Sequence, residues 1–368
     1  MEKQQDPPDP YFILRGHRYF INSICFDRTN DNLLFSGSGD GELRLWNIED
    51  KRCLKVVQHA HPEGGVFSLH SVPGQNALVS QGRDGTVKVW TLDQSGLTLL
   101  NKLETNSISL GKCSPLVTNI SSIINAPPRS TEPALPNLDS LSLGTNNNNN
   151  MPAINAIENL VAISSDEVPS QIELWDMTRG ECVMKVRADL STAGMPGSSQ
   201  NIGERFGMAM CMKLWRDTDG RLKLCSGFEN GGMCLWDLSN PQQCLAMSKL
   251  STEPLLSFAL NGDCGVSGSG DDRIVEFKIN YESRQFDKIV DHKLNNNGIA
   301  DVKIRDDGKI FATAGWDRRV RIFNARKHTP LAILKYHTES IYSIDFNRQN
   351  VLASASKDLK IALWSIYK

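Results

Sequence analysis

The stretch SGSGDGELRLW, residues 36 to 46, sets a serine, three glycines and an acid just ahead of Trp46. A glycine-rich turn of this kind can cradle a phosphate with backbone N–H groups, and a carboxylate beside it can hold a metal. With His17 upstream, the stretch also completes the Ser, His and Asp of a nucleophilic hydrolase. A third reading is a plain hairpin turn whose aspartate only holds the backbone in place.

The same pattern recurs, and the recurrence decides between these readings. SQGRDGTVKVW, SGFENGGMCLW, SGSGDDRIVEF, TAGWDRRVRIF and SASKDLKIALW close on Trp90, Trp236, Phe277, Phe323 and Trp364. Six residues before each closing aromatic stands Asp40, Asp84, Asn230, Asp271, Asp317 or Asp358, and four residues earlier Ser36, Ser80, Ser226, Ser267, Thr313 or Ser354. A looser copy, SSDEVPSQIELWD, closes on Trp175 and Asp176. Catalysis needs one exposed, uniquely placed constellation, whereas a set repeated at one spacing is a structural unit.

The elements that position these residues read as short strands. INSICF and IYSIDF, in the first and last copies, alternate with a period of two, and the strand before the Asp turn ends in Ser or Thr. A histidine precedes the inner strand in four copies: His17, His61, His292 and His337. The pattern resembles the WD-repeat family of β-propellers, with one four-stranded blade per repeat of about 40–45 residues. The resemblance implies an all-β, seven-bladed propeller, one blade for each closing aromatic. It also implies a buried hydrogen-bonded set in each complete blade: His17, Ser36, Asp40 and Trp46; His61, Ser80, Asp84 and Trp90; His337, Ser354, Asp358 and Trp364. Blades three to five carry no His at that place, and blades five and six close on Phe, which donates no hydrogen bond. Drift offset by apolar packing is the favoured account; a mobile sector carrying the partner surface is the other.

YFILRGH precedes the first inner strand and has no blade of its own. Tyr11 to Arg15 is therefore expected to supply the outer strand of blade seven, closing the ring and covering a sheet edge. The expected organisation is a short disordered tail over residues 1–10 and a single propeller over 11–368. Residues 121–153, rich in Pro, Ser and Asn, form a disordered low-complexity insertion within blade three. Within it ALPNLDSLSL is the one candidate docking motif, with inert low complexity preferred. LSTAGMPGSSQNIGERFG is a second insertion, ahead of the inner strand of blade four.

Composition narrows the function. The formal net charge of −2 argues against an electrostatic grip on nucleic acid, and Lys303 to Lys327 reads as a solvated, mixed-charge face. No apolar run approaches the ~20 residues that cross a bilayer, and MEKQQDPPDP lacks the apolar core of a secretory signal. Nine cysteines without a C-x-x-C pair read as reduced, mostly buried thiols of the cytosol or nucleus, with neither a disulfide framework nor a zinc site. There is no G-x-S-x-G, H-E-x-x-H or phosphate-loop lysine motif, and the inner strands offer mostly Ser, Cys and aliphatic residues. The expectation is a non-enzyme that takes no cofactor or metal.

At finer grain, DPPDPYFILRGH, LLFSGSGDG, LVSQGRDG, GMAMCMKLW, GIADVKIRDDGKIFATAGWDRRVRIF and LASASKDLKIALWSIY are similar to the family of guanine nucleotide-binding protein beta-subunit-like protein 1. Its fungal relatives are the ASTRA-associated proteins. The resemblance implies an adaptor of the co-chaperone system that matures phosphatidylinositol-3-kinase-related kinases in DNA-damage signalling, in cytoplasm and nucleus. Its expected partners are a chaperone adaptor complex and those kinases. The alternative is a chromatin-remodelling, ASTRA-type subunit. A G-protein beta-like signalling subunit is weaker, because the proline-containing residues 1–10 hold no heptad and so no gamma subunit is expected. In the WD family the residue before the turn Asp faces the rim of one side of the disc. Here Trp316 and Arg83 stand at such positions, and with Arg318 and Lys357 they form the candidate protein-docking face. The opposing reading makes Trp316 structural filler.

Overall fold

A computed structural model describes residues 8–93, 96–125, 154–188 and 206–366. The short alternating segments pair as seven four-stranded antiparallel sheets. Blade one runs β2 (Ile21–Phe26), β3 (Leu33–Ser38), β4 (Leu43–Asn47) and β5 (Arg52–Val57). The inner strands of the next five blades are β6 (Val66–Val72), β10 (Ser114–Val117), β14 (Ala209–Arg216), β18 (Leu255–Asn261) and β22 (Ile299–Ile304). Blade seven holds β26 (Ile341–Phe346), β27 (Val351–Ser356) and β28 (Lys360–Ser365). Each inner strand packs against the next, and β26 packs against β2, so the seven form a closed ring around an axial channel.

Ring closure follows the expectation from the sequence. β1 (Phe12–Arg15) pairs antiparallel with β28, with Phe12 opposite Leu363 and Arg15 opposite Lys360. Leu14 is buried in one cluster with Ile361, Leu363, Ile24 and Trp46, so this strand also fills the seam between blades seven and one. The same logic holds around the ring. Trp90 packs on Phe35 and Leu45 of blade one, and Trp236 on Leu160 and Leu174 of blade three. Burying one such side chain stabilises by roughly 1.5–3 kcal/mol, and the seams repeat that gain.

Polar inner-strand residues tie neighbouring blades together at the backbone. Ser343 Oγ accepts from Ile24 N–H at 3.2 Å, Ser23 Oγ from Leu69 N–H at 3.0 Å, and Ser257 Oγ from Val302 N–H at 3.1 Å. Such bonds give buried inner-strand N–H groups acceptors on the neighbouring blade.

The long insertion of blade three leaves between β10 and β11 (Asn159–Ser164). Its first residues are helical: α1 (Ile120–Ile124) is capped by Asn119 and buries Ile120 and Ile123. The structure thus places residues 121–124, read from sequence as part of a disordered loop, in a packed helix, because two isoleucines three apart reach the core together. The remainder of that segment, residues 126–153, lies outside the described residues, as do residues 1–7 of the expected tail and residues 190–205 of the second insertion.

Candidate functional site

Six of the seven inner strands carry a register shift at their second residue. A bulge of this kind leaves one residue unpaired and re-aims its side chain. The bulged residues are Asn22, Phe67, Met210, Leu256, Ala300 and Tyr342, and all six line one hollow of about 410 Å³ at the mouth of the channel. Lys112 fills the seventh place from blade three and reaches across the channel, its Nζ 3.5 Å from the Ala300 carbonyl of blade six. Phe20, Leu110, Arg83 and Trp316 complete the wall. Phe20 meets Tyr342 edge-on at 6.2 Å, and the Arg83 guanidinium lies 5.0 Å from the Phe67 ring centroid. The mouth is therefore an aromatic funnel with cations on its wall, the composition of a recognition pocket with a few convergent polar groups.

The structure brings two of the four candidate docking residues to this funnel, Arg83 and Trp316. One face of the Trp316 indole covers Gly298, where a Cβ would collide with the ring, while the side chain stays 43% exposed. Arg318 and Lys357 are also exposed but stand apart from the hollow, Arg318 in a left-handed turn with φ of +71°.

The repeated Ser, His and Asp sets lie inside the blades. In blade two His61 Nε2 is 2.7 Å from Ser80 Oγ, Trp90 Nε1 donates to the same oxygen at 2.8 Å, and His61 Nδ1 sits 3.0 Å from Asp84. Blade seven repeats this with His337 to Ser354 at 2.9 Å, Trp364 to Ser354 at 2.9 Å and His337 to Asp358 at 3.0 Å. Ser36, Ser80 and Ser354 are fully buried beneath an indole N–H, so no substrate reaches their oxygens. Hydrogen bonds from His61 and Thr86 hold the Asp84 carboxyl at about 2 against the opposing effect of burial. Blade one departs from the expected set: His17 Nε2 and Trp46 meet Ser36, at 2.6 and 2.7 Å, but His17 Nδ1 faces Glu42 at 3.1 Å. Asp40 is exposed and accepts from Ser38 Oγ instead. Glu42 carries one more methylene, and Arg44 pairs with it and fixes its direction.

Comparison with known proteins agrees with this geometry. The family model for the WD domain, G-beta repeat, matches residues 51–91, 286–324 and 328–365, and that for the tRNA methyltransferase TRM82 WD40 domain matches residues 11–68. Guanine nucleotide-binding protein subunit beta-like protein 1 of Mus musculus is 31% identical, over 98% of this chain and 97% of its own length. The chain belongs to that WD-repeat family. ASTRA-associated protein 1 of Schizosaccharomyces japonicus is 25% identical over 98% of this chain and 99% of its own length; that of Schizosaccharomyces pombe is 24% identical over the same shares.

Seen as WD repeats, the blades without a complete set have found other partners for their turns. Ser251 stands in for the histidine of blade five, its Oγ 2.6 Å from Asp271. In blade six Arg321 holds Asp317 at 2.5 Å. His292, read from sequence as the histidine of that blade, lies instead on β21 (Gln285–Lys293) and pairs with Glu276 at 2.6 Å. In blade four Phe206 packs edge-on to Phe228, and the fully buried Trp236 Nε1 has no partner. Apolar packing replaces the polar chain in blade four, whereas blades five and six hold their turn aspartates with other polar partners.

Two inner-strand readings change. Besides Ser, Cys and aliphatic residues, these strands carry Phe67, His70, Lys213, Asp301, Lys303, Tyr342 and Asp345. Lys303, read as part of a solvated surface, belongs to the ring interior, three residues past the bulge at Ala300. The signal that locates the mouth is the residue after the first apolar position of each inner strand, which a strict period of two assigns to an ordinary strand face.

Proposed function

We propose that this WD-repeat scaffold is a non-catalytic adaptor whose partner docks on the mouth of the axial channel. The observation that carries the reading is the half-exposed Trp316 beside Arg83, on the wall of a hollow to which all seven blades contribute. Trp and Arg are the residues most enriched at binding hot spots, and a ring of bulges holds the funnel rigid before binding. Arg318 and Lys357 lie outside the hollow as a cationic rim that steers partners rather than anchoring them.

In cellular terms the adaptor serves the chaperone-assisted maturation of phosphatidylinositol-3-kinase-related kinases, in cytoplasm and nucleus, without a gamma subunit. The end-to-end relation to beta-like protein 1 supports the adaptor role, and the kinase-maturation role rests on the resemblance alone. The relation to the fungal ASTRA-associated proteins favours a second one, a subunit of an ASTRA-type assembly. Affinity purification with mass spectrometry separates them. Kinases and chaperone subunits are expected with the wild-type chain and depleted from Trp316→Ala, whose circular dichroism and Tm stay unchanged. Recovery of remodelling subunits alone supports the chromatin reading. If Trp316→Ala melts several degrees lower and retains its partners, the indole is filler over Gly298 and the docking site lies elsewhere.

A further inference from the structure

Beneath the aromatic mouth, the chemistry of the channel changes sign. Lys112, Lys213 and Lys303 come from blades three, four and six, and His70 from blade two. His70, Lys213 and Lys303 each stand three residues past the bulge of their inner strand, the same position in three blades. Lys112 Nζ crosses to the Ala300 carbonyl, and Lys303 acts electrostatically on both His70 and Lys213.

The carboxylates of this region are already engaged. Asp301 accepts from Ser257 Oγ at 3.0 Å, Ser343 Oγ at 3.3 Å and the Ile344 N–H at 3.0 Å. Asp345 takes both a bidentate Arg28, at 2.7 and 2.9 Å, and the Phe26 N–H at 2.8 Å. Asp301 draws Lys303 upward in pKa, yet no ion pair within 4 Å joins them among the described residues. The lysine donors meet only long carbonyl contacts, 3.5 Å for Lys112 and 3.4 Å for Lys213 to Leu260. His70 Nε2 is buried without a hydrogen-bond partner among the described residues. With Arg28 cancelling Asp345, three ammonium groups face one carboxylate. A surplus of converging cationic donors in a half-buried bore is stabilised by a multiply charged acceptor.

We propose that the axial channel below its mouth is an oxyanion site, in which Lys112, Lys213 and Lys303 hold a small phosphate-class anion. The repulsion among these groups agrees with this: burial and the charges of Lys303 and Lys112 push His70 down to about 3, and burial with Lys303 lowers Lys213. An anion removes that repulsion, and because Lys112 also lines the mouth, the site adjoins the docking surface above it.

The test titrates the full chain with inorganic phosphate and, separately, tripolyphosphate. Calorimetry and the rise in Tm are read against sodium chloride of equal ionic strength. The expected result is saturable binding that Lys213→Gln and Lys303→Gln each weaken at least fivefold. Lys335→Gln, an exposed lysine on β25 (Thr329–Lys335), should leave it unchanged. Tighter binding of tripolyphosphate than phosphate identifies a polyanion site, and the reverse a single phosphate. Lys213 makes no ion pair, so Lys213→Gln decides the matter if Lys303→Gln fails to fold. Equal stabilisation by chloride, or undiminished binding by Lys213→Gln, overturns the proposal.

Discussion

Glu42, and not Asp40 as the sequence pattern has it, stands beside His17, its Oε1 3.1 Å from Nδ1. The carboxylate beside the imidazole comes from two residues further along the turn, at ion-pair distance. Asp40→Asn is therefore expected to shift Tm by less than a degree, since Asp40 is exposed. Asp84→Asn and Glu42→Gln should each destabilise by ~1–3 kcal/mol, because each weakens a hydrogen-bonded charge beside a buried imidazole. Thermal denaturation of the three variants checks the ranking. Equal losses for Asp40→Asn and Glu42→Gln would restore the aspartate to the set.

Trp90 and Trp236 make a matched pair. Both close a blade and both are buried, but Trp90 donates to Ser80 while the Trp236 N–H has no acceptor. Trp90→Phe leaves Ser80 short of a donor and should cost ~1–2 kcal/mol beyond the lost volume. Trp236→Phe removes an orphaned donor, which offsets its loss of packing. Chemical denaturation of both variants should show the Trp90 variant clearly the less stable.

The repeat, the blade count and the closing strand were legible because each is written as spacing: aromatics at about one blade length, and Tyr11 to Arg15 left without a blade. Two complete hydrogen-bonded sets were legible for the same reason. The substitution of Glu42 for Asp40 was not, since both carboxylates sit in one turn and only side-chain reach separates them. The mouth was hidden more deeply. Phe67 and Tyr342 line it because a bulge turns them out of the ladder, and a bulge breaks the alternation by which strands are recognised. The cations escaped notice because Lys112, Lys213 and Lys303 are scattered over 192 positions and meet only when the ring closes.

The helix at the root of the blade-three insertion makes the effect of trimming depend on where the cut falls. Replacing residues 126–153 with a short Gly/Ser linker should be nearly neutral, since loop length costs only ~0.6 kcal/mol per doubling. A cut that begins at residue 121 removes Ile123, which is 4% exposed, and should lower stability by ~2 kcal/mol or more. Comparing the Tm of the two deletions isolates the helix. A large loss from the shorter deletion would mean that the trimmed segment packs on the blades.

β1 should matter more than its four residues suggest, since it both covers the edge of β28 and fills a seam. Leu14→Ala is expected to cost ~2–4 kcal/mol, as for other buried leucines. Deleting residues 1–15 should give aggregated or unfolded protein, because it exposes that edge. Soluble expression and circular dichroism read the outcome, and a truncated chain with an unchanged Tm contradicts the ring closure.

Stability should fall steeply on mild acidification, and the sign follows from the histidines. Burial first, with Arg44 reinforcing it, lowers His17 to about 4, and burial lowers His61 as well. In the unfolded chain both titrate near ~6.5. Below that pH the unfolded state binds more protons than the folded one, so stability is retained above ~6.5 and lost as pH falls toward 4. Asp84, held at about 2, adds a second loss below its unfolded value of ~3.8. For His17 alone the loss is on the order of 2 kcal/mol between pH 7 and 4. Tm measured across pH 4 to 8 should therefore rise with pH and level off near neutrality. In His17→Gln the curve should start lower at pH 7 and slope less. A variant whose curve rises more steeply with pH than the wild type would show instead that His17 is protonated in the folded protein, paired as a cation with Glu42.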